Sequence, residues 1–309
     1  ELQNYCASIG QAQALIDQGQ YGRAKQILAQ TNLASWRGWE WGWLERHCNL
    51  DLMTLAGEGA GLTGITYSPD GRWLAAGCRD STVRVWDAET GTPRPPIRGH
   101  SATVVLLGFS PDSRRLVTAS FDGTAKVWDI RTGQSRLTLS GHSNGVWCAL
   151  FSPDGKTIAT GGGDHAVRLW DATSGALSAE FDAGQDIVMC IAFSPDGRSL
   201  AYGGGSGSTW TRSADNAVRI VDLVSGGSRV LRGHTHCVSG IAFHTDGHRV
   251  ATASWDGTAR LGDVRSDTEL SPFFRLSGLG GLLTVALSPD GRLCAVAGGA
   301  MGPEKAEAG

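Results

Sequence analysis

The feature that most limits what this chain can become is a short phrase repeated six times. "YSPDG", "FSPDS", "FSPDG", "FSPDG", "FHTDG" and "LSPDG" begin at residues 67, 109, 151, 193, 243 and 287, at steps of 42, 42, 42, 50 and 44. Spacings of this size signal a repeated supersecondary unit. Within each period apolar residues alternate, as in "VRVWD" (83 to 87), "AKVWDI" (125 to 130) and "VRLWD" (167 to 171), the pattern of a half-buried strand. Forty-four glycines supply tight turns between such strands. Each unit predicts a small antiparallel sheet of three or four strands. A lone sheet cannot cover both its faces, so successive units must stack face to face and close radially, an all-β propeller.

"GH" near the start of a unit, "SPDG" in its middle and "WD" at its end resemble the WD-repeat (WD40) family over roughly residues 50 to 299. About six blades are recognisable. The last ends in "GGAMGPEKAEAG" without its own WD strand, so the ring is expected to be incomplete, with further repeats in a parent protein and 300 to 309 a disordered or truncated end. The resemblance also implies that "LDLMTLAG" (50 to 57) supplies an outer strand to the last blade.

The resemblance further implies a hydrogen-bonded network that stiffens each blade, made of a turn histidine, a strand serine or threonine, a turn aspartate and a strand tryptophan. Only the second blade keeps all four, as His100, Ser120, Asp122 and Trp128. The third keeps His142, Asp164 and Trp170 with Gly162 at the serine position; the fifth keeps His234, Ser254 and Asp256 with Gly262 at the tryptophan position. Those two blades are expected to be softer. Such a network specifies packing rather than chemistry.

In relatives of this kind, partners meet the end of the propeller that carries the histidine and aspartate turns. Position by position, the resemblance places Arg79, Phe121 and Trp255 just before turn aspartates and Trp147 and Met189 near the start of inner strands. Large apolar groups on such a face are characteristic of interface anchors. The 50-residue step lengthens a loop at this end, "GSGSTWTRSA" (205 to 214), which offers Trp210 as a further contact.

Residues 1 to 49 have a different character. Ile9, Ala12, Leu15 and Ile16, then Ala24, Ile27 and Leu28 after a glycine-bearing break, predict a helical hairpin. "SWRGWEWGW" (35 to 43) opens a third predicted helix, capped by Ser35 and running through Cys48, with Trp36, Trp39, Trp43 and His47 on one stripe and Trp41 nearly opposite. Tryptophans on two sides suit a wedge that fastens the hairpin to the propeller better than a flat ligand platform. The pattern from Arg37 to Cys48, followed directly by WD repeats, resembles large bacterial WD-repeat proteins of planctomycete type, many of which carry a serine/threonine protein kinase domain. No kinase motif is present in this chain.

Motifs of other chemistries do not fit their surroundings. "GHSNG" around Ser143 matches a hydrolase nucleophile elbow but leads into the strand "GVWCALF", whereas the elbow needs a helix after it. "GAGLTG" (59 to 64) precedes a strand, so no helix N-terminus is offered to a phosphate. His234, His236 and Cys237 come close to a metal-ligand spacing, but the blade network claims His234, and neither metal nor cofactor is expected. A formal charge of -3 gives no basic footprint for nucleic acid. No apolar run approaches the roughly 20 residues that span a bilayer. Seven scattered cysteines without a C-x-x-C pair read as buried thiols of the cytoplasm; an extracytoplasmic placement needs a membrane span elsewhere in the parent protein.

The expected function is a non-enzymatic protein-interaction or scaffold module of a larger bacterial signalling protein. The alternative, a catalytic hydrolase or lyase propeller, calls for carboxylates or histidines lining the channel, and the inner strands (104 to 109, 146 to 151, 188 to 193) carry none.

Overall fold

In the computed structural model, each Ser-Pro-Asp-Gly phrase is a turn that locks on itself. Ser68 Oγ donates to Asp70 Oδ1 at 2.6 Å, Arg72 N–H donates to the same oxygen at 3.1 Å, and Trp73 N–H donates to Ser68 Oγ at 2.8 Å. The same three bonds recur at Ser152 with Asp154 and at Ser194 with Asp196. The glycine that closes the turn sits in the left-handed region, with φ of 71° at Gly71 and 70° at Gly155. In the second unit Ser113 occupies that position at φ 58°, and its Oγ accepts the Asp70 N–H of the preceding unit at 3.1 Å.

The structure describes residues 2–17, 21–30, 61–184, 186–205, 215–265, 270–275, 280–288 and 290–300. The chain divides into two compact units, Glu1–Ala56 and Gly57–Gly309. In the first, α1 (Leu2–Asp17) and α2 (Tyr21–Gln30) pack around Ala12, Ala24 and Leu28, with Ile9, Leu15, Ile16 and Ile27 against them. These are the residues whose helical spacing marks the hairpin. The tryptophan-rich segment, with Trp36, Trp39, Trp41 and Trp43, lies outside the described residues, as do "LDLMTLAG", Trp210 and residues 301 to 309.

In the second unit the described strands form six antiparallel sheets in chain order. The first comprises β1 (Leu62–Tyr67), β2 (Trp73–Cys78) and β3 (Val83–Asp87); the second β4 (Val104–Phe109), β5 (Arg115–Ser120), β6 (Thr124–Asp129) and β7 (Ser135–Ser140). The third holds β8 (Val146–Phe151), β9 (Thr157–Gly162), β10 (Ala166–Asp171) and β11 (Leu177–Asp182). The fourth holds β12 (Ile187–Phe193), β13 (Ser199–Gly205), β14 (Val218–Asp222) and β15 (Ser228–Leu231). The fifth holds β16 (Val238–Phe243), β17 (Arg249–Ser254), β18 (Thr258–Asp263) and β19 (Ser271–Arg275), and the sixth, among the described residues, β20 (Gly280–Leu287) and β21 (Cys294–Ala300). In the first sheet the outer strand is reduced to the bridges Val83 to Ile97 and Trp86 to Pro93. Pro93, Pro95 and Pro96 have no N–H to donate to a ladder, which confines this segment to the edge.

Each inner strand lies across the sheet before it: β4 across β1 and β2, β8 across β4 and β5, β12 across β8 and β9, β16 across β12 and β13, β20 across β16 and β17. The hydrophobic cores are therefore junctions between blades. Val117, Ala119 and Val127 of the second sheet share one core with Val146, Ala149 and Phe151 of the third. The face carrying Val117 and Ala119 receives Val146, Ala149 and Phe151 of the next inner strand. The repeat renews this fit at the other junctions, across steps of 42 to 50 residues.

Candidate partner-binding face

The end of the stack that carries the histidine turns is organised by buried polar relays. In the second blade His100 Nδ1 meets Asp122 Oδ2 at 2.8 Å, His100 Nε2 meets Thr118 Oγ1 at 2.7 Å, and Trp128 Nε1–H donates to Thr118 Oγ1 at 2.9 Å. In the third blade the same roles fall to His142, Asp164, Thr160 and Trp170, at 2.7, 2.8 and 2.9 Å. In the fifth, His234 joins Asp256 at 2.9 Å and Thr252 at 2.7 Å.

These distances correct the expected membership of the network. The hydroxyl that meets the histidine belongs to Thr118, Thr160 and Thr252, not to Ser120 or Ser254, and in the second and third blades it also accepts the tryptophan N–H. Ser120 instead donates to Ala102 O at 3.1 Å and accepts the Asp122 N–H at 3.2 Å; Ser254 does the same with His236 O and the Asp256 N–H. Residues two apart on a strand share a face, so the sequence offers both hydroxyls, and depth decides between them. The third blade consequently has a complete relay despite Gly162. A Cβ at Gly162 would stand 2.1 Å from His142 Nδ1, so the glycine makes room for the histidine. In the fifth blade the missing indole is replaced by Leu270 and Leu231, which a Cβ on Gly262 would meet at 2.6 and 2.9 Å.

Charge follows from this burial. Burial alone would raise the Asp122 carboxyl, but hydrogen bonds from Thr124, His100 and the Ser101 N–H outweigh it and hold the pKa at about 2. Asp164 is held at about 2 in the same way by His142 and Arg168. Burial pushes His100 and His142 below their ordinary 6.5, against the pull of the paired carboxylates.

The relays position the residues just before the aspartates. The same backbone bond pins each of them to the preceding inner-strand approach: Arg79 N–H to Gly61 O, Phe121 N–H to Thr103 O, Gly163 N–H to Gly145 O and Trp255 N–H to Cys237 O, all at 2.9 to 3.1 Å. Phe121 and Trp147, from neighbouring blades, form an edge-to-face pair with ring centroids 4.7 Å apart and planes at 63°. Gly145 allows it: at φ 60° it lies under Phe121, and a Cβ there would touch the ring at 3.4 Å. Phe121 is 42% exposed, while Trp147 and Met189 are half-buried and Arg79 is exposed. Trp255 is half-buried and leans on His236, centroids 5.8 Å apart. The structure therefore joins Phe121 to Trp147 and pairs Trp255 with a residue that the sequence reading did not assign to this face.

Among the described residues no group of three or more His, Cys, Asp or Glu side chains could hold a metal ion, and no helix is long and apolar enough to cross a membrane. His234 has both ring nitrogens engaged within its blade, and His236 Nδ1 accepts the Cys237 N–H at 2.9 Å.

Six stacked antiparallel sheets with His-Asp-Thr-Trp relays at one end define a WD40-type β-propeller. Residues 62–299 match the family described as the IFT122 first beta-propeller, and the chain belongs to that family. It is similar to a guanine nucleotide-binding protein subunit beta of Zea mays, 36% identical over 88 residues, which is 26% of this chain and 23% of that protein. The corresponding subunit beta-1 of Nicotiana tabacum is 35% identical over 86 residues, 26% of this chain and 23% of that protein. A Notchless protein homolog of Arabidopsis thaliana is 44% identical over 48 residues, 16% of this chain and 10% of that protein. The chain thus spans about a quarter or less of the length of these curated relatives.

Proposed function

We propose that this propeller is a protein-interaction scaffold whose partner docks on the end carrying Phe121, Trp147 and Trp255, with Arg79 and Met189 at its margin. The observation that carries this reading is the Phe121–Trp147 pair. Rigid aromatic groups, packed against each other and partly open to solvent, present apolar area at little entropic cost. The relatives are interaction propellers by family, which favours a binding role over a catalytic one. The partner is a protein rather than nucleic acid, since a net charge of -3 supplies no attraction for phosphate. We place the domain in a bacterial signalling protein, and its buried, unpaired Cys78, Cys148, Cys190 and Cys237 favour the cytoplasm.

The test uses the partner recovered with the intact protein and titrated against it by calorimetry. Phe121→Ala and Trp147→Ala should each weaken binding at least tenfold, an anchor-sized loss of about 1.4 kcal/mol or more, with little change in melting temperature. Undiminished affinity in both variants removes this face.

A further inference from the structure

Asn144 is the chain's single asparagine followed by glycine; those at 4, 32, 49 and 216 precede Tyr5, Leu33, Leu50 and Ala217. The main-chain nitrogen after an asparagine can attack the side-chain amide, and a glycine leaves that approach open. Asn144 is exposed, in the turn that leads into β8, and its Nδ2–H donates to Gly163 O at 3.2 Å. A Cβ at residue 163 would stand 2.2 Å from Asn144 O and 3.2 Å from its Cγ, so the amide carbon lies against bare main chain.

The attacking atom is free as well. Gly145 N–H donates to no acceptor among the described residues, although Gly145 O accepts the Gly163 N–H at 3.0 Å. Seven Asp-Gly pairs in the same repeats make the contrast. In each of them, from Gly71 to Gly291, the glycine N–H donates to the carbonyl three residues before it, at 2.8 to 3.2 Å. Their side chains are also ionised carboxylates at neutral pH, which resist a nucleophile.

We propose that Asn144 is a modification site through which the chain alters its own docking face. The Gly145 nitrogen attacks Asn144 Cγ, the bond from Cγ to Nδ2 breaks, and ammonia leaves with the proton from Gly145, closing a cyclic imide. Water then opens the ring. Entry at the side-chain carbonyl gives aspartate, and entry at the main-chain carbonyl gives isoaspartate. A water enters, an ammonia leaves, and nothing is oxidised or reduced.

Either product disturbs the aromatic pair. Aspartate sets a carboxylate against Gly163 O, where an N–H donor stood. Isoaspartate adds a carbon to the main chain just before Gly145, the residue that at φ 60° sits beneath Phe121 and accepts the Gly163 N–H. Phe121 in turn holds Trp147. The consequence for partner binding rests on the docking face proposed above; the modification itself does not.

The experiment keeps the full chain warm at pH 8 in heavy-oxygen water, which marks ring opening at asparagine and aspartate alike. Peptide mass spectrometry follows it beside an Asn144→Gln chain, whose longer side chain disfavours the ring. Asn144 should convert roughly tenfold faster than Asn216 or any Asp-Gly pair, about the factor lost when a nitrogen must first leave a hydrogen bond. The Trp147 indole N–H resonance, assigned with Trp147→Phe, should shift as the chain ages and stay where it began in Asn144→Gln. Partner affinity should fall in step. If Phe121→Ala has left binding intact, the docking reading fails alone, because mass and resonance still report on the modification. An Asn144 amide that persists, Asp-Gly pairs that open as fast, or a Trp147 resonance that ignores the conversion overturns the proposal.

Discussion

Trp128 reaches Thr118 with its indole N–H at 2.9 Å, and the hydroxyl that accepts it also meets His100 Nε2 at 2.7 Å. One fully buried oxygen thus ties the outer part of the blade to the histidine turn and, through Asp122, to the partner-facing end. Removing it would strand two buried polar groups at once.

Thr118→Val should therefore destabilise the protein by about 2–4 kcal/mol, since two buried groups lose their partner. Ser120→Ala should cost about 1 kcal/mol, because its bonds only trim a turn. Urea unfolding of both variants checks the ranking. A Ser120 variant as damaging as the Thr118 variant would return the relay to the serine.

Gly262→Trp restores the residue that the repeat leads one to expect, yet it should destabilise the fifth blade by about 1–3 kcal/mol or more. Leu270 and Leu231 already fill the space where its side chain would begin. Pairing the change with Leu270→Ala should recover part of the loss, by opening room for the indole to reach Thr252. A stabilised single variant in denaturant melts would show that this packing is loose.

Acid should unfold the protein in two stages. His100 and His142 are held below 6.5 in the fold, so the unfolded chain binds more protons as pH drops below 6.5 and stability declines from there. Asp122 and Asp164, held at about 2, contribute fully above 3.8 and lose that contribution as pH falls toward 2. Urea midpoints measured from pH 8 to 3 should fall gently, then steeply. A flat profile between pH 7 and 5 contradicts the buried neutral histidines.

Thiol chemistry should separate the cysteines by depth. Burial pushes Cys148 and Cys190 well above their ordinary value, whereas Cys294 is exposed. Maleimide treatment of the folded protein at pH 8, read by peptide mass spectrometry, should mark Cys294 and spare the other two until denaturant is added. Modification of Cys148 in the folded state would mean that the junction between β8 and β12 opens.

Much of the fold is legible in the chain because its signals are local. The turn bonds of Ser68 with Asp70 lie within five residues, and the alternation of "VRVWD" states which side of a strand is wet. The relay was readable only in part. His100, Asp122 and Trp128 stand where the repeat puts them, but Thr118 and Ser120 present equivalent hydroxyls to any pattern. The recurrence of a threonine at 118, 160 and 252, in the three blades that carry the histidine and aspartate, was the available signal.

By itself, then, the sequence determined the repeat, the blade unit and the residues of its turns, because these depend on neighbours a few positions apart. Packing between neighbouring blades chose Thr118 over Ser120 for the relay and, with Gly145 beneath the ring of Phe121, brought Phe121 and Trp147 together. Those outcomes depend on what stands on the far side of each sheet, and that is set by whole blades some forty residues apart along the chain.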